Sequence, residues 1–289
     1  MTILYKNPRD LHELAAFLEQ LNNTPSNHIG FCGQEKEEIY DTLHELNAES
    51  AFVCAYKEQK LIGAIGLDIY DSNEEAEVWG PFIHAEEDSS WEHIAEALFE
   101  KLAAINKLHF FINIKNTRAI RWLNTKRAVS KGTYAILKMS RDQVRFNDIS
   151  LVQPFTPNDE NAFSQLHTLI FPNTYYSAAD IIRNIDHHRQ LLLIKDSSSI
   201  IGYVYFEADP KHGEGNIEYI AISPAHQKKG YGTMLIQTAL LRLFSFSSIT
   251  EITLCVSEDN RAAIKLYVAA GFKLDHMLES YQLIEEESS

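Results

Sequence analysis

The stretch Gln227-Lys228-Lys229-Gly230-Tyr231-Gly232-Thr233 follows an apolar run, Ile217 to Ile222, and the turn Ser223-Pro224-Ala225-His226. A glycine-rich turn between a strand and a helix leaves backbone N–H groups without intrahelical acceptors. With the helix dipole, these groups form a site for phosphate oxygens. Glycine lets the backbone come close to a ligand, and Lys228 and Lys229 add positive charge. The segment is neither a Walker A sequence nor a G-x-G-x-x-G fingerprint. Taken alone it reads either as an anion site or as a plain turn.

Around it, hydrophobic periodicity predicts alternating strands and helices. In the second half a strand is expected at Ile149–Pro154, helices at Asn158–Leu169 and Ala178–Ile185, and a hairpin from Leu191–Lys195 and Ile200–Phe206 through Asp196–Ser199. A strand at Ile217–Ile222, a helix at Gly230–Phe244, a strand at Glu251–Val256 and a helix at Arg261–Ala270 follow. The last helix stops at Gly271, the residue best able to take the left-handed conformation there.

The first half repeats this order weakly. Strands are expected at Ile3–Tyr5, Ala51–Tyr56, Leu61–Ile69, Val78–Ile83 and His109–Ile114, and helices at Leu11–Leu21, Trp91–Ile105 and Thr117–Leu123. Asn116-Thr117-Arg118-Ala119-Ile120 aligns with Asn260-Arg261-Ala262-Ala263-Ile264 at an offset of 260 − 116 = 144, half of 289 residues. Two domains, 1–145 and 146–289, are expected, with the boundary in the charged stretch Arg141–Asp148.

About 30 residues after the glycine turn comes Asn260-Arg261-Ala262-Ala263-Ile264-Lys265-Leu266-Tyr267-Val268-Ala269-Ala270-Gly271-Phe272. The pair of patterns, Q-x-x-G-x-G after a strand and then N-x-x-A-x-x-L-Y-x-x-x-G-F, resembles the two signature motifs of the GNAT superfamily of acetyl-CoA-dependent N-acetyltransferases. The resemblance is full over Ile149 to Leu283 and faint in the first half. It implies an α/β (α+β) fold of two GNAT-like domains, each with a mixed, largely antiparallel sheet, a splayed parallel strand pair and flanking helices.

It also implies roles. Gln227, Lys228, Lys229, Gly230, Tyr231, Gly232 and Thr233 would hold the pyrophosphate of acetyl-CoA, and the backbone of Ile220, Ala221 and Ile222 would pair with the pantetheine arm. Asn260 would contact the cosubstrate, or cap its own helix, or both. Tyr267 would protonate the departing thiolate, unless it is a core aromatic. A backbone N–H near Ile222 would stabilise the oxyanion.

The general base is less direct. Many family members carry a carboxylate at the position of Asn216, and some at that of Cys255, and neither is acidic here. Glu218 lies two residues after Asn216, on the same face by strand alternation, and becomes the expected base. Cys255 reads as a small buried hydrophobe. Tyr175 and Tyr176, in Phe171–Tyr176, line an acceptor pocket or pack over the sheet edge. His187-His188 lacks ligand spacing to a second pair, so no metal is expected.

The first half has His84-Ala85-Glu86-Glu87-Asp88-Ser89-Ser90-Trp91 in place of the glycine loop, with three carboxylates that repel a pyrophosphate. Leu123 stands at the Tyr267 offset and has no proton to give. One acetyl-CoA site per chain is expected, in the second domain.

Composition sets the outer bounds. With 26 Lys+Arg against 40 Asp+Glu, the net charge is −14, which argues against nucleic acid and suits an amine. Three dispersed cysteines, no long apolar run and no leader-like start point to a cytoplasmic protein with no membrane partner, a monomer or homodimer. The expected activity is acetyl transfer to a primary amine of a small molecule or peptide in a ternary complex. The alternatives are a non-catalytic acyl-CoA-sensing module or a transferase with another acyl donor.

Overall fold

The structure is a computed structural model that describes residues 2–70, 74–143, 151–196 and 199–284. Contacts divide the chain into two compact units, Met1–Tyr134 with Met277–Ser289, and Ala135–His276.

The first unit begins with β1 (Ile3–Lys6), α1 (Leu11–Asn22), α2 (Lys36–Glu45) and the single turn α3 (Ala48–Ala51). It continues through β2 (Phe52–Lys57), β3 (Lys60–Ile69), β4 (Glu75–Ile83), α4 (Trp91–Phe99), β5 (Lys107–Asn113) and α5 (Thr117–Thr125). Asp10 caps α1 by accepting the N–H of His12 at 2.9 Å. Its buried Leu14, Leu18 and Leu21 repeat at helical spacing and fix the buried face. Strands β1 to β4 pair antiparallel. β4 then runs parallel to β5 only over Glu75–Glu77 against Lys107–His109.

The end of the chain completes this sheet. Leu278 to Ile284 pairs antiparallel with Asn113 to Lys107 along the other edge of β5, and Tyr281 and Leu283 enter a core with Leu18, Phe52, Phe82, Ile94 and Phe110. With that edge taken, His28–Gly30 occupies the edge that β4 leaves. Ile29 bridges Ile112, Gly30 N–H donates to Phe111 O at 2.7 Å, and Asn113 N–H donates to His28 O at 3.1 Å.

After β6 (Val129–Ser140), which enters the second unit at Ala135, come β7 (Val152–Pro154), α6 (Glu160–Ile170), α7 (Ala178–Asn184), β8 (Arg189–Asp196) and β9 (Ser199–Asp209). Then follow β10 (Glu214–Ile222), α8 (Tyr231–Leu243), β11 (Glu251–Ser257), α9 (Arg261–Ala270) and β12 (Lys273–Ile284). Strands β7 to β10 are antiparallel neighbours. β10 runs parallel to β11 over Glu214–Asn216 against Glu251–Thr253 and then parts from it. Each unit is thus a mixed, mainly antiparallel sheet with flanking helices and one parallel pair that splays after three residues.

Arg141 anchors the segment after β6. Its guanidinium donates to the carbonyls of Phe244 (2.7 Å), Phe246 (2.6 Å) and Ile249 (2.6 and 3.1 Å), and its N–H to Thr250 O at 3.0 Å. A cation is well matched to carbonyls at the C-terminus of α8.

The structure departs from the expected layout at several points; the helix expected at Trp91–Ile105 stops at Phe99. The units divide at 134/135 and 276/277, whereas the sequence puts the division at 145/146, because the strands after α5 and α9 each join the other repeat's unit. Those strands, β6 and β12, and helices α2 and α3 are absent from the expected elements. α2 is polar, with only Ile39 and Leu43 buried, so its stripe is faint. Ile149, Ser150, the turn residues Ser197 and Ser198, and the boundary residues 144–148 lie outside the described residues. Among the described residues no helix is long and apolar enough to cross a membrane.

Candidate functional site

β10 leads through the turn Pro224–His226 to Gly230, which caps α8 at φ +86°. Lys228 also has positive φ, at 61°. Gln227, Lys228, Lys229 and Gly230 are exposed, and Tyr231, Gly232 and Thr233 are half-buried. Gln227 Nε2 donates to Ile222 O at 3.3 Å, which ties the loop back to the strand. A Cβ on Gly230 meets no atom within 4 Å, whereas one on Gly232 lies 2.9 Å from Leu266 Cδ2. So Gly230 serves backbone conformation and an open surface, and Gly232 serves helix packing.

The exposed helix N-terminus, the two lysines and the bare Gly230 surface suit a pyrophosphate. Past Asn216, the edge of β10 that includes Ile220, Ala221 and Ile222 is no longer paired to β11. That leaves strand-edge groups suited to an amide-bearing arm. The residues therefore fit coenzyme A chemistry.

Glu218 sits at a β-bulge. The register of β10 on β9 shifts between Ile217 and Tyr219, so Asn216 opposes Glu207 and Tyr219 opposes Tyr205. The extra residue brings Tyr219 onto the face of Asn216 and Glu207 and re-aims Glu218. Asn216 Nδ2 donates to Glu218 Oε1. Burial first, and then the negative charge of Glu207, push the Glu218 carboxyl up to about 7, against the pull of the Asn216 hydrogen bond.

Across the splay, Cys255 is exposed on β11, which corrects the expectation of a buried cysteine. By alternation it shares the face of Thr253, away from the buried Leu254 and Val256. Its thiol is pushed up to about 12, by desolvation and then by Glu218, so it is not a ready nucleophile. Tyr267 on α9 is buried, 6% exposed. Its phenol is held well above its ordinary value by burial and then by Cys255. Glu218 acts on Cys255 and Cys255 on Tyr267, so these groups lie in electrostatic reach along one side of the splay. Asn260 caps α9, its Oδ1 accepting Ala263 N–H at 3.1 Å, and is exposed.

Tyr175 is 75% exposed. Tyr176 is half-buried, with rings of Tyr205 and Tyr219 at 6.3 and 6.5 Å. Its phenol is raised by burial, then by Glu207 and Glu218, so it stands beside Glu218. Tyr219 OH accepts Thr174 Oγ1–H at 2.7 Å and Tyr176 N–H at 3.1 Å, and these bonds fix the loop. Tyr205 O–H donates to Glu207 at 2.6 Å.

Next to Glu218 lies a cavity of about 420 Å³ lined by Glu207, Asp209, Glu214, Asn216 and Thr253, with Asp186, His188 and Arg189 at β8. The sequence reading missed Glu207, Asp209 and Glu214. The signal was present as Tyr203-x-Tyr205-x-Glu207-x-Asp209, a period-two row that runs past the apolar part of β9.

The first unit keeps the scaffold with different residues. By register Glu77 stands at the Asn216 place, opposite Asp68 and His109, and burial raises its carboxyl. In the turn before α4, Glu86 and Glu87 pair with Lys60 (3.0 Å) and Lys57 (2.7 Å). Leu123 is fully buried. Asn116 caps α5 at 3.3 Å just as Asn260 caps α9.

Residues 160–272 match the model of the acetyltransferase (GNAT) family. An uncharacterized N-acetyltransferase of Bacillus subtilis, YfmK, is 30% identical over 92 residues, 32% of this chain and 60% of that relative's length. In fold, the chain is similar to a GCN5-related N-acetyltransferase from Sphaerobacter thermophilus, with a TM-score of 0.72, 15% identity and coverage of 97% of this chain and 95% of that one. A tandem GNAT protein from the clavulanic acid biosynthesis pathway gives a TM-score of 0.63 at 11% identity, with 100% of both chains covered.

Proposed function

We propose that this chain, whose residues 160–272 match the acetyltransferase (GNAT) family model, transfers an acetyl group from acetyl-CoA to a primary amine of a small molecule or peptide by direct attack in a ternary complex. The observation that carries this reading is the splay of β10 from β11, flanked by a half-buried carboxyl near 7 on one strand and a buried phenol beyond the other.

Acetyl-CoA supplies the acyl thioester when bound. Gln227–Thr233 holds its pyrophosphate at the α8 N-terminus, and Ile220–Ile222 offers backbone groups to its arm. An ammonium with a pKa near 10 must lose a proton before nitrogen can attack, and Glu218, half-ionised near neutral pH, accepts it. A backbone N–H near Ile222 carries the developing negative charge at oxygen. Tyr267 stays protonated through the neutral range and gives its proton to sulfur. As the N–C bond forms and the C–S bond breaks, nitrogen sheds a second proton, which replaces the one Tyr267 gives to sulfur, while the first, taken by Glu218, passes to solvent. Tyr175 and Tyr176 form the acceptor-side wall.

We place this chemistry in the second unit alone. In the first, His28–Gly30 pairs with β5 in the gap where it parts from β4, the gap into which the arm would run, Leu123 has no proton, and the turn before α4 is acidic. Thiol release from acetyl-CoA, followed across a panel of amines, tests the reading. Amine-dependent release that collapses in Glu218→Gln and Tyr267→Phe supports it, and acetyl-CoA binding without release with any amine favours a sensing module.

A further inference from the structure

Helix α6 carries a histidine where its core stripe calls for an apolar residue. Phe163, Leu166 and His167 face inward at helical spacing, and His167 is 1% exposed. Both of its ring nitrogens are engaged. Nε2 lies 2.9 Å from Tyr176 O, and Nδ1 lies 2.6 Å from Tyr203 Oη. A carbonyl only accepts, so Nε2 carries the hydrogen, and a neutral ring leaves Nδ1 to accept the Tyr203 O–H. Burial favours that neutral ring and holds His167 below the ordinary histidine value, against the opposing pull of the Tyr176 carbonyl.

The bond to Tyr176 O holds the loop between α6 and α7. Its counterpart comes from β10, where Tyr219 OH accepts Tyr176 N–H at 3.1 Å and Thr174 Oγ1–H at 2.7 Å. The donor and the acceptor of one residue's backbone are thus both taken by buried side chains. Water ordinarily satisfies such groups in a surface connection, so the two bonds are a fixture of this loop in particular.

The clamp is built on the strands that carry Glu207 and Glu218. Tyr203 shares the β9 row of Tyr205 and Glu207 by alternation, and Tyr219 follows the bulge that re-aims Glu218. The His167 ring also packs edge-on against Tyr219, with centroids 5.1 Å apart, so the two ends of the clamp support each other.

We infer that His167 is a positioning residue of the acceptor side: with Tyr219 it fixes the Tyr176 backbone, so that the wall beside Glu218 is set before the amine arrives. This rests on the transferase reading and names what presets its acceptor site. A wall already in place spares the amine the cost of ordering the loop, and its loss shows in acceptor affinity. Acetyl-CoA, held in the same reading by Gln227–Thr233, keeps its KM.

Variants of the full-length chain separate the clamp from the filling of space. His167→Gln places an amide N–H where Nε2 stands and restores the bond to Tyr176 O. His167→Phe keeps a ring and loses the donor. Tyr219→Phe releases the other end and carries the test if a substitution at His167 folds poorly. Hydrogen exchange, read by mass spectrometry, compares peptides covering 171–177 with peptides covering 191–195 in β8. In His167→Phe the loop exchanges at least about tenfold faster relative to β8, as loss of a buried bond requires, and in His167→Gln it returns to within a few-fold of the parent. With n-butylamine as acceptor in the thiol-release assay, the amine KM rises about tenfold in His167→Phe and in Tyr219→Phe and recovers in His167→Gln, while the acetyl-CoA KM stays within a few-fold. Phenylalanine serving as well as glutamine in both measurements overturns the inference, because packing alone then accounts for the residue. Unchanged loop exchange with transfer intact likewise removes it and leaves the transferase reading standing. Exchange that glutamine restores, with no thiol release from the parent, removes the transferase reading and the acceptor role with it, while the clamp itself stands.

Discussion

Asn216 donates its amide N–H to the Glu218 carboxylate two residues along β10, at the bulge where the strand slips one residue against β9. The bond favours the ionised form, while burial and Glu207 favour the protonated one, and the carboxyl comes to rest at about 7. Activity therefore rises with pH through about 7 as Glu218 ionises. Replacing Asn216 with Leu removes the opposing bond, so the acidic limb of the kcat/KM profile moves to higher pH. In Glu218→Gln that limb disappears and kcat falls by about 10²–10⁴. A limb that persists in Glu218→Gln assigns the base to another group.

The same shift predicts a stability change of opposite sign. The folded carboxyl titrates near 7 and the unfolded one near 4.5, so between these values the native state binds more protons and stability falls as pH rises. At roughly 1.4 kcal/mol per pKa unit, the full penalty is about 3 kcal/mol. Glu218→Gln melts higher than the parent at pH 8 and shows no such gain below pH 4.5. Equal melting at pH 8 shows that Glu218 titrates as an ordinary carboxylate.

Tyr267 is a buried phenol whose proton is held firmly across the neutral range. Tyr267→Phe keeps the ring against Phe272, 5.9 Å away, and removes only the proton. We expect kcat to drop by about 10² or more with acetyl-CoA affinity within a few-fold of the parent. Wild-type turnover in this variant removes Tyr267 from the mechanism.

The parts of this site legible in the sequence were those set by local chemistry. Helix α9 spans Arg261–Ala270 as expected, because Asn260 caps its start and Gly271, at φ +110°, ends it. The glycine turn likewise follows from a strand, two lysines and a helix start. What strand alternation could not show was the bulge, which puts Tyr219 rather than Ile220 on the face of Asn216. Glu207 escaped notice because β9 reads as apolar only to Phe206 and continues to Asp209. The pairings of His28–Gly30 with β5 and of Leu278–Ile284 with the same strand join residues more than 80 and 160 positions apart. No local pattern encodes such partners.

Gly230 separates binding from folding. Its φ of +86° penalises any side chain by about 1 kcal/mol, but a Cβ there meets no neighbour. Gly230→Ala should melt within a few degrees of the parent while acetyl-CoA affinity falls about tenfold or more, because the methyl stands on the surface offered to the pyrophosphate. Unchanged affinity moves the phosphate site elsewhere.

Arg141 bonds three carbonyls at the end of α8 and the segment after it, Phe244, Phe246 and Ile249. Arg141→Ala leaves those acceptors to water or unsatisfied and costs about 2 kcal/mol by chemical denaturation. Arg141→Lys recovers little of it, since one ammonium cannot reproduce the planar fork. Full recovery by lysine reduces the role to charge at the helix C-terminus.

The two units differ in the gap where their parallel strands part. In the second, the β10 edge past Asn216 is unpaired to β11. In the first, Gly30 N–H and His28 O bond the β5 backbone at Phe111 and Asn113, and Ile29 is fully buried there. A Cβ on Gly30 would overlap the Phe111 ring and Leu278, so the segment is packed against the sheet rather than laid over it. Displacing it exposes Ile29 and breaks two backbone hydrogen bonds, together a cost of roughly 3–5 kcal/mol before any ligand contact is made. Acetyl-CoA should therefore titrate at one equivalent per chain, and Gly230→Glu should abolish the whole binding heat rather than half of it. A residual equivalent in Gly230→Glu would place a second acyl-CoA site in the first unit and show that His28–Gly30 yields to it.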